Sequence, residues 1–341
     1  MDIWIDSQKP DGLDRLDYNH DLTQKLRSVS AQSNIPHICL YGPAGSGKRT
    51  RVAALLKSIF GDGVRKKKME YRVFKRNSTS CLEINVTSSV HHIELTPSDV
   101  GVNDRDVIQE LIKQTAQNHS IQTFSKHHPP FKVVVLYDAH DLTKDAQNAL
   151  RRTMERYNTF CRLILVCNSI GKLIDPLRSR CLLLRVGKPS IDDVRGVLSG
   201  IAREKGVDGG MVEFISENCD RNMRRAIMML QANHAKPGMD FMDWEKCIDK
   251  TSQLILERQT PQQLLLVRSK IFELLTSCVS AENIFVNLMH ALLRDTRCAQ
   301  KKRVVVSVCA EYEPFLYAGT KSIFSLEAFV ANLMFKLRQL A

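Results

Sequence analysis

The sequence predicts a parallel α/β nucleotide-binding core followed by two all-helical regions. Three observations carry this. Short continuous apolar runs alternate with helical patterns as far as residue 187. A glycine-rich loop, "GPAGSGKRT" (42–50), follows the first of these runs. After residue 189 strand-like runs stop and helix-capping patterns take over. Continuous rather than alternating hydrophobicity marks strands buried on both faces, as parallel sheets require.

"IPHICLY" (35–41) is the strand that ends at the loop, and "RTRVAALLKSIF" (49–60) is the helix that leaves it. "HHIELT" (91–96), "FKVVVLY" (131–137), "CRLILVCN" (161–168) and "CLLLRV" (181–186) complete a five-stranded parallel sheet. Ala146, Ala149, Leu150, Thr153, Met154 and Tyr157 form a helical stripe between two of them. Strand, loop, helix, strand is the repeating unit of an α/β core. The stretch 64–90 reads as an inserted hairpin or loop, because lysines and "NSTS" interrupt it, so the core spans 1–187 with an insertion around 64–95.

Ser190 and Asp193 then form a cap before Val194, Val197, Leu198 and Ile201. Helices over 211–218 and 221–232 complete a three-helix region, 188–240, with "ANHAKPGMDFMDW" (232–244) as linker. In the last region, 250–341, Thr260-Pro261-Gln262-Gln263 combines an N-cap, a proline at the first helical position and a glutamine at the third. Ser280 opens another helix, and 322–338 forms the last.

A chain of 341 residues suits two or three domains. Its apolar stretches are too short to cross a bilayer, and "MDIWIDSQKPDG" lacks the basic and apolar regions of a signal peptide. A cytosolic or nuclear protein without a membrane partner is expected. The ten cysteines are scattered with no C-x-x-C pair, which suits reduced thiols. The histidine pairs at 91–92 and 127–128 have no fitting companions, so no metal site is expected there. A net charge of +12 implies an anionic partner, nucleic acid first. The run "VRKKKMEYRVFKR" (64–76) is either a DNA contact or a set of solvated lysines.

The loop Gly42, Pro43, Ala44, Gly45, Ser46, Gly47, Lys48, Arg49 and Thr50 matches G-x-x-x-x-G-K from Gly42 to Lys48. In such a loop, backbone N–H groups and a helix N-terminus converge on phosphates, and the lysine reaches the outer ones. The next position should be a serine or threonine that ligates Mg²⁺; here it is Arg49, with Thr50 one step late. The acidic motif is degenerate too. In "VVVLYDAHDLT" (133–143), Asp138 read alone would hold the metal and leave Ala139 where a catalytic glutamate belongs. Aligned on the following "TKDAQNALRRTME", Tyr137 takes the metal position and Asp138 the catalytic one. Under either register a carboxylate is missing, and Arg49 lends charge in partial substitution for the ion. The expectation is ATP or ADP bound without efficient turnover, with Mg²⁺ doubtful. Two alternatives stand beside it: an ATPase that recruits Asp138 and Asp141, and a small-metabolite kinase, which would need an acceptor pocket.

Residues 143–181, "TKDAQNALRRTMERYNTFCRLILVCNSIGKLIDPLRSRC", resemble the AAA+ small subunits of replication factor C, the eukaryotic sliding-clamp loader. The resemblance covers nearly the whole chain; "WIDSQKP" (4–10) is similar to the family's W-V-D-K-Y-R-P box but departs at Ser7 and Gln8. It implies an AAA+ core, a helical lid and an all-α collar. Asn168 is implied as the sensor-1 residue, and Arg224, in "CDRNMRRAIMML" (219–230), as the sensor-2 arginine. Arg180 of "SRC" is implied as an arginine finger that acts in trans on the adjacent subunit's ATP. "TPSDVGVNDRDVIQELIKQTA" (96–116) resembles a DNA-tracking helix, with Arg105 and Lys113 as cations but Gln109 and Leu111 where basic residues are usual. Apolar residues around "IFGDGV" (59–64) are typical of the clamp contact. The implied partners are the other subunits of a heteropentamer, the sliding clamp and primer–template DNA recognised without regard to sequence, in the nucleus.

Overall fold

The computed structural model describes residues 3–32, 34–77, 80–97, 101, 103–117, 131–235, 243–318 and 321–339. The histidine pair at 127–128 and most of the expected linker lie outside them. The chain divides into two compact units, 1–237 and 238–341.

The first unit is built on one sheet of seven strands: β1 (Ile38–Tyr41), β2 (Lys68–Asn77), β3 (Ser80–Ser88), β4 (His92–Leu95), β5 (Lys132–Leu136), β6 (Cys161–Cys167) and β7 (Leu182–Arg185). Their order is β2-β3-β4-β5-β6-β1-β7. The five strands from β4 to β7 run parallel, as expected. The insertion 64–90 resolves into the antiparallel hairpin β2–β3, which joins the same sheet through β4 and widens it to seven strands. His92–Leu95 already belongs to the parallel set.

α1 (Trp4–Ser7) opens the chain, and around the sheet run α2 (His20–Ser30), α3 (Lys48–Phe60), α4 (Asp104–Gln117), α5 (Lys144–Arg156) and the short α6 (Asp175–Arg178). The continuous apolar runs have a direct cause. Ile38, Leu40, Val133, Val135, Ile164 and Val166 face a core shared with α2 and α3. Their neighbours Cys39, Val134, Leu136, Leu163, Leu165 and Cys167 face a second core shared with α4 and α5. With both faces covered, every residue along β6 is buried and no polar alternation survives.

Part of the basic run 64–76 is engaged within the chain. Lys67 donates to Glu94 at 2.7 Å and Arg65 to Asp11 at 2.6 Å.

Three helices follow: α7 (Ile191–Lys205), α8 (Gly209–Asn218) and α9 (Met223–Ala235). The capping box forms as the sequence predicts: Ser190 Oγ accepts from Asp193 N at 3.0 Å, and Asp193 Oδ2 accepts from Ser190 N at 2.8 Å. Trp4, in α1, and Tyr18 complete this helical core; Trp4 N donates to Gln231 Oε1 at 3.0 Å. The N-terminal segment therefore packs on these three helices.

The second unit holds α10 (Asp243–Glu257), α11 (Pro261–Thr276), α12 (Ala281–Asp295), α13 (Ala299–Ala318) and α14 (Ser322–Gln339) around its own apolar core. Thr260 and Ser280 cap α11 and α12 by accepting from Gln263 N and Asn283 N. Among the described residues, no helix is long and apolar enough to cross a membrane.

Candidate nucleotide-binding site

The glycine-rich loop joins β1 to α3, and two of its glycines are sterically required. A Cβ on Gly42 would lie 2.0 Å from the Val186 carbonyl oxygen, a backbone atom that cannot yield. Gly45 has φ +75°, and its Cβ would lie 1.7 Å from Asn222 Oδ1. The loop is braced from beneath. The Tyr18 hydroxyl donates to Ser46 O at 3.1 Å, and the fully buried Arg51 donates to Tyr18 O at 2.7 Å, with its guanidinium 4.4 Å over the Tyr18 ring. Ser46 Oγ donates to Pro43 O at 2.8 Å. Since α3 starts at Lys48, the orphan N–H groups of its first turn lie beside the loop.

Lys48 Nζ donates to Gly42 O at 2.6 Å, Pro43 O at 2.8 Å and Asn168 Oδ1 at 2.9 Å. Burial holds this ammonium below the usual lysine range, and Arg224 and Arg49 push it the same way; Cys167 and Asp138 oppose them. Asn168 follows β6 directly, and its Nδ2 is 3.1 Å from His140 Nε2. His140 sits on the 3₁₀ turn Ala139–Asp141 after β5. Arg49 donates from Nη2 to Asp138 Oδ2 at 3.0 Å, with its guanidinium 4.6 Å over the Tyr137 ring. Burial pushes the Tyr137 phenol well above its ordinary range, so it stays neutral.

A cleft of about 1080 Å³ gathers most of these groups. Ala44, Gly45, Gly47, Lys48, Arg49 and Thr50 line it, as do Asp138, Asn168 and Arg224. Gly42, Pro43 and Ser46 do not. The other walls come from residues 5–10 and 15–18 and from Val197, Ile201, Met223 and Ile227 on α7 and α9. A glycine-rich turn at a helix start, the cations Lys48, Arg49 and Arg224 beside it and an apolar wall fit a nucleotide: phosphates against the first two, a flat base against the third.

The same residues do not fit Mg²⁺, which asks for hard oxygen ligands in near-octahedral array. The position after Lys48 carries a cation, Tyr137 is a neutral phenol, and Asp138 is bonded to Arg49. Among the described residues no group of three His, Cys, Asp or Glu side chains converges to hold a metal.

Other expected residues lie elsewhere. Arg180 is exposed, outside the cleft, and donates to Glu155 Oε1 at 2.8 Å and Pro176 O at 2.8 Å. Arg105 and Lys113 are exposed on α4, with Gln109 between them on the same face. Lys113 pairs with Glu110 at 3.8 Å. Leu111 corrects one expectation: it is fully buried against the sheet, so a surface cation has no place there. In "IFGDGV", Phe60 and Val64 are core residues as well.

Sequence reasoning missed Tyr18, Arg51, His140 and Asn222. One signal was present for Arg51, which shares the inward stripe of α3 with Val52, Leu55 and Leu56. The other three meet the loop or Asn168 only through long-range packing.

Residues 244–341 match the family described as "Replication factor C subunit 3, C-terminal domain", and residues 18–190 match "DNA polymerase III, delta subunit". Replication factor C subunit 3 of Mus musculus is 41% identical, over 98% of this chain and 96% of that protein. Replication factor C subunit 5 of Schizosaccharomyces pombe is 41% identical, over 97% and 96%. Replication factor C subunit 3 of Arabidopsis thaliana is 39% identical, over 97% and 96%. A solved structure of Thermotoga maritima RuvB overlays with a TM-score of 0.49 at 15% identity, covering 77% of this chain and 85% of that one.

Proposed function

The chain belongs to the replication factor C subunits, AAA+ components of the clamp loader, and from that premise we propose a nucleotide-binding subunit with little or no turnover at its own site. One observation carries the proposal: a complete phosphate cradle shares its cleft with an acidic motif whose remaining carboxylate is tied to Arg49. ATP or ADP, when bound, brings a polyphosphate charge to the cleft. The loop N–H groups and Lys48 would hold the phosphates, Asn168 would present its amide from the end of β6, and Arg224 would engage from α9, part of a helical lid formed by α7 to α9. These contacts join lid to core, so the nucleotide acts here as structural cement. Asp138, neutralised by a cation, is poorly placed to orient an attacking water.

Arg180 serves the neighbouring subunit in this reading. It lies outside its own cleft, and its partner Glu155 is exposed, so the guanidinium can be released to a phosphate of another chain. The second unit acts as the collar of a heteropentamer. Exposed Leu265, Phe272, Phe315, Tyr317, Phe324 and Phe335 suit a face that is covered on assembly. The assembled ring seats the sliding clamp on primer–template DNA in the nucleus, in replication and repair. Arg105 and Lys113 would contribute phosphate contacts without reading sequence.

The test is the five-subunit assembly with Lys48→Ala in this chain, and separately with Arg180→Ala. A mild effect from the first and a large loss of DNA-stimulated ATPase from the second are expected. Equal and severe losses would mean that this site hydrolyses ATP itself through Asp138, the alternative reading.

A further inference from the structure

We propose that Arg49 replaces the divalent cation in this site, so that the chain binds a nucleoside di- or triphosphate without Mg²⁺. The inference rests on the nucleotide-binding reading above and adds how the phosphate charge is neutralised.

Position comes first. Arg49 follows the loop lysine directly, in the first turn of α3, where the metal-ligating hydroxyl would stand. Its guanidinium spans the two motif positions that should complete the metal site, bonded to Asp138 at 3.0 Å and lying 4.6 Å over Tyr137. Asp138 itself sits in the left-handed region, at φ 51°. The side chains that would surround an ion surround a guanidinium instead.

Charge points the same way. Five cations, Lys9, Arg15, Lys48, Arg49 and Arg224, line the cleft with three carboxylates, Asp6, Asp17 and Asp138, which leaves it net positive. A divalent cation would enter against net positive potential, whereas a polyphosphate would be drawn in. A guanidinium also suits this task chemically, because its planar fork offers phosphate oxygens two parallel N–H donors and never deprotonates.

The Arg49–Asp138 pair does not lock the cation away. The two side chains are 52% and 32% exposed, and a pair in that setting is weak. Only Nη2 is bonded to Asp138, so the guanidinium can turn its other donors to a phosphate oxygen while it keeps the carboxylate as a partner. The Tyr137 ring fixes the guanidinium plane on one side.

The test uses the full chain and a fluorescent ADP analogue, titrated once with excess Mg²⁺ and once with EDTA. Affinities in the two buffers should agree within about threefold, and Arg49→Ala should weaken both by about tenfold. The double variant Arg49→Thr, Tyr137→Asp restores a hydroxyl and a carboxylate, and chelation should then cost it about tenfold or more, as a metal-dependent site requires. Circular dichroism melts of both variants check that they fold, and the wild-type comparison stands without them. A loss of wild-type affinity of about tenfold on chelation would overturn the inference while leaving nucleotide binding intact. Failure to bind in either buffer would overturn the nucleotide-binding reading, and this inference with it.

Discussion

Met223 donates its backbone N–H to the carbonyl oxygen of Gly45 at 3.2 Å, so the first residue of helix α9 is bonded to the tip of the phosphate-binding loop. The residue before it, Asn222, fills the space that a side chain at position 45 would need. The glycine-rich loop and the start of α9 are thus coupled by one hydrogen bond and one close packing contact.

Gly45→Ala breaks that coupling. The new methyl would collide with Asn222 and impose φ +75° on a residue that resists it, at about 1–3 kcal/mol. Nucleotide affinity should fall by about tenfold or more, and the melting temperature should drop, both readable by fluorescence titration and calorimetry.

Arg51→Met removes a buried cation but strands the carbonyl oxygen of Tyr18, which its guanidinium serves at 2.7 Å; Ser46 O loses a longer bond of 3.4 Å and keeps the Tyr18 hydroxyl as donor. One unpaired buried acceptor costs more than the methionine packing returns. Urea unfolding should show a loss of about 1–3 kcal/mol.

Glu155→Ala separates a structural role for Arg180 from a role in trans. The pair is close, at 2.6 Å, but its side chains are 36% and 52% exposed. Stability of the chain should change by less than about 0.5 kcal/mol. ATPase activity of the assembled loader should survive, in contrast to Arg180→Ala; parallel losses in both variants would favour the intrachain pair.

His37 sets a pH dependence. Its Nδ1 accepts from Leu163 N at 3.0 Å beside Arg162, and burial, reinforced by that positive charge, lowers its pKa from 6.5 to about 4. The unfolded chain therefore binds the proton first as pH falls. The stabilisation is complete above pH 6.5 and is lost as pH drops toward 4. Between about pH 7 and pH 5 the unfolding free energy should fall by about 2 kcal/mol from this group, and His37→Gln should flatten that part of the profile in urea titrations.

The parallel strands were legible because burial on both faces demands unbroken apolar runs, and such runs need no knowledge of the partner strand. The caps at Ser190, Thr260 and Ser280 were legible because capping is settled within one helical turn. The hairpin was legible as an insertion but not as two further strands of the same sheet, since pairing through β4 depends on register across the fold. Leu111 was misplaced because identity by alignment says nothing of which side of α4 faces the sheet.

The glycine-rich loop, the arginine that interrupts it and the tyrosine that interrupts the acidic motif are local facts, and the chain's own order of residues determined them. So were the alternation of strand and helix and the family resemblance, now matched by relatives that cover nearly the whole chain. Only tertiary structure decided that Arg49 reaches Asp138, 89 positions away along the chain, and the Tyr137 ring beside it. It alone decided that Asn222 polices Gly45 and that Arg51 is buried beneath the loop. Contacts between distant segments depend on how strands stack and helices cover them, and no short window of sequence contains that information.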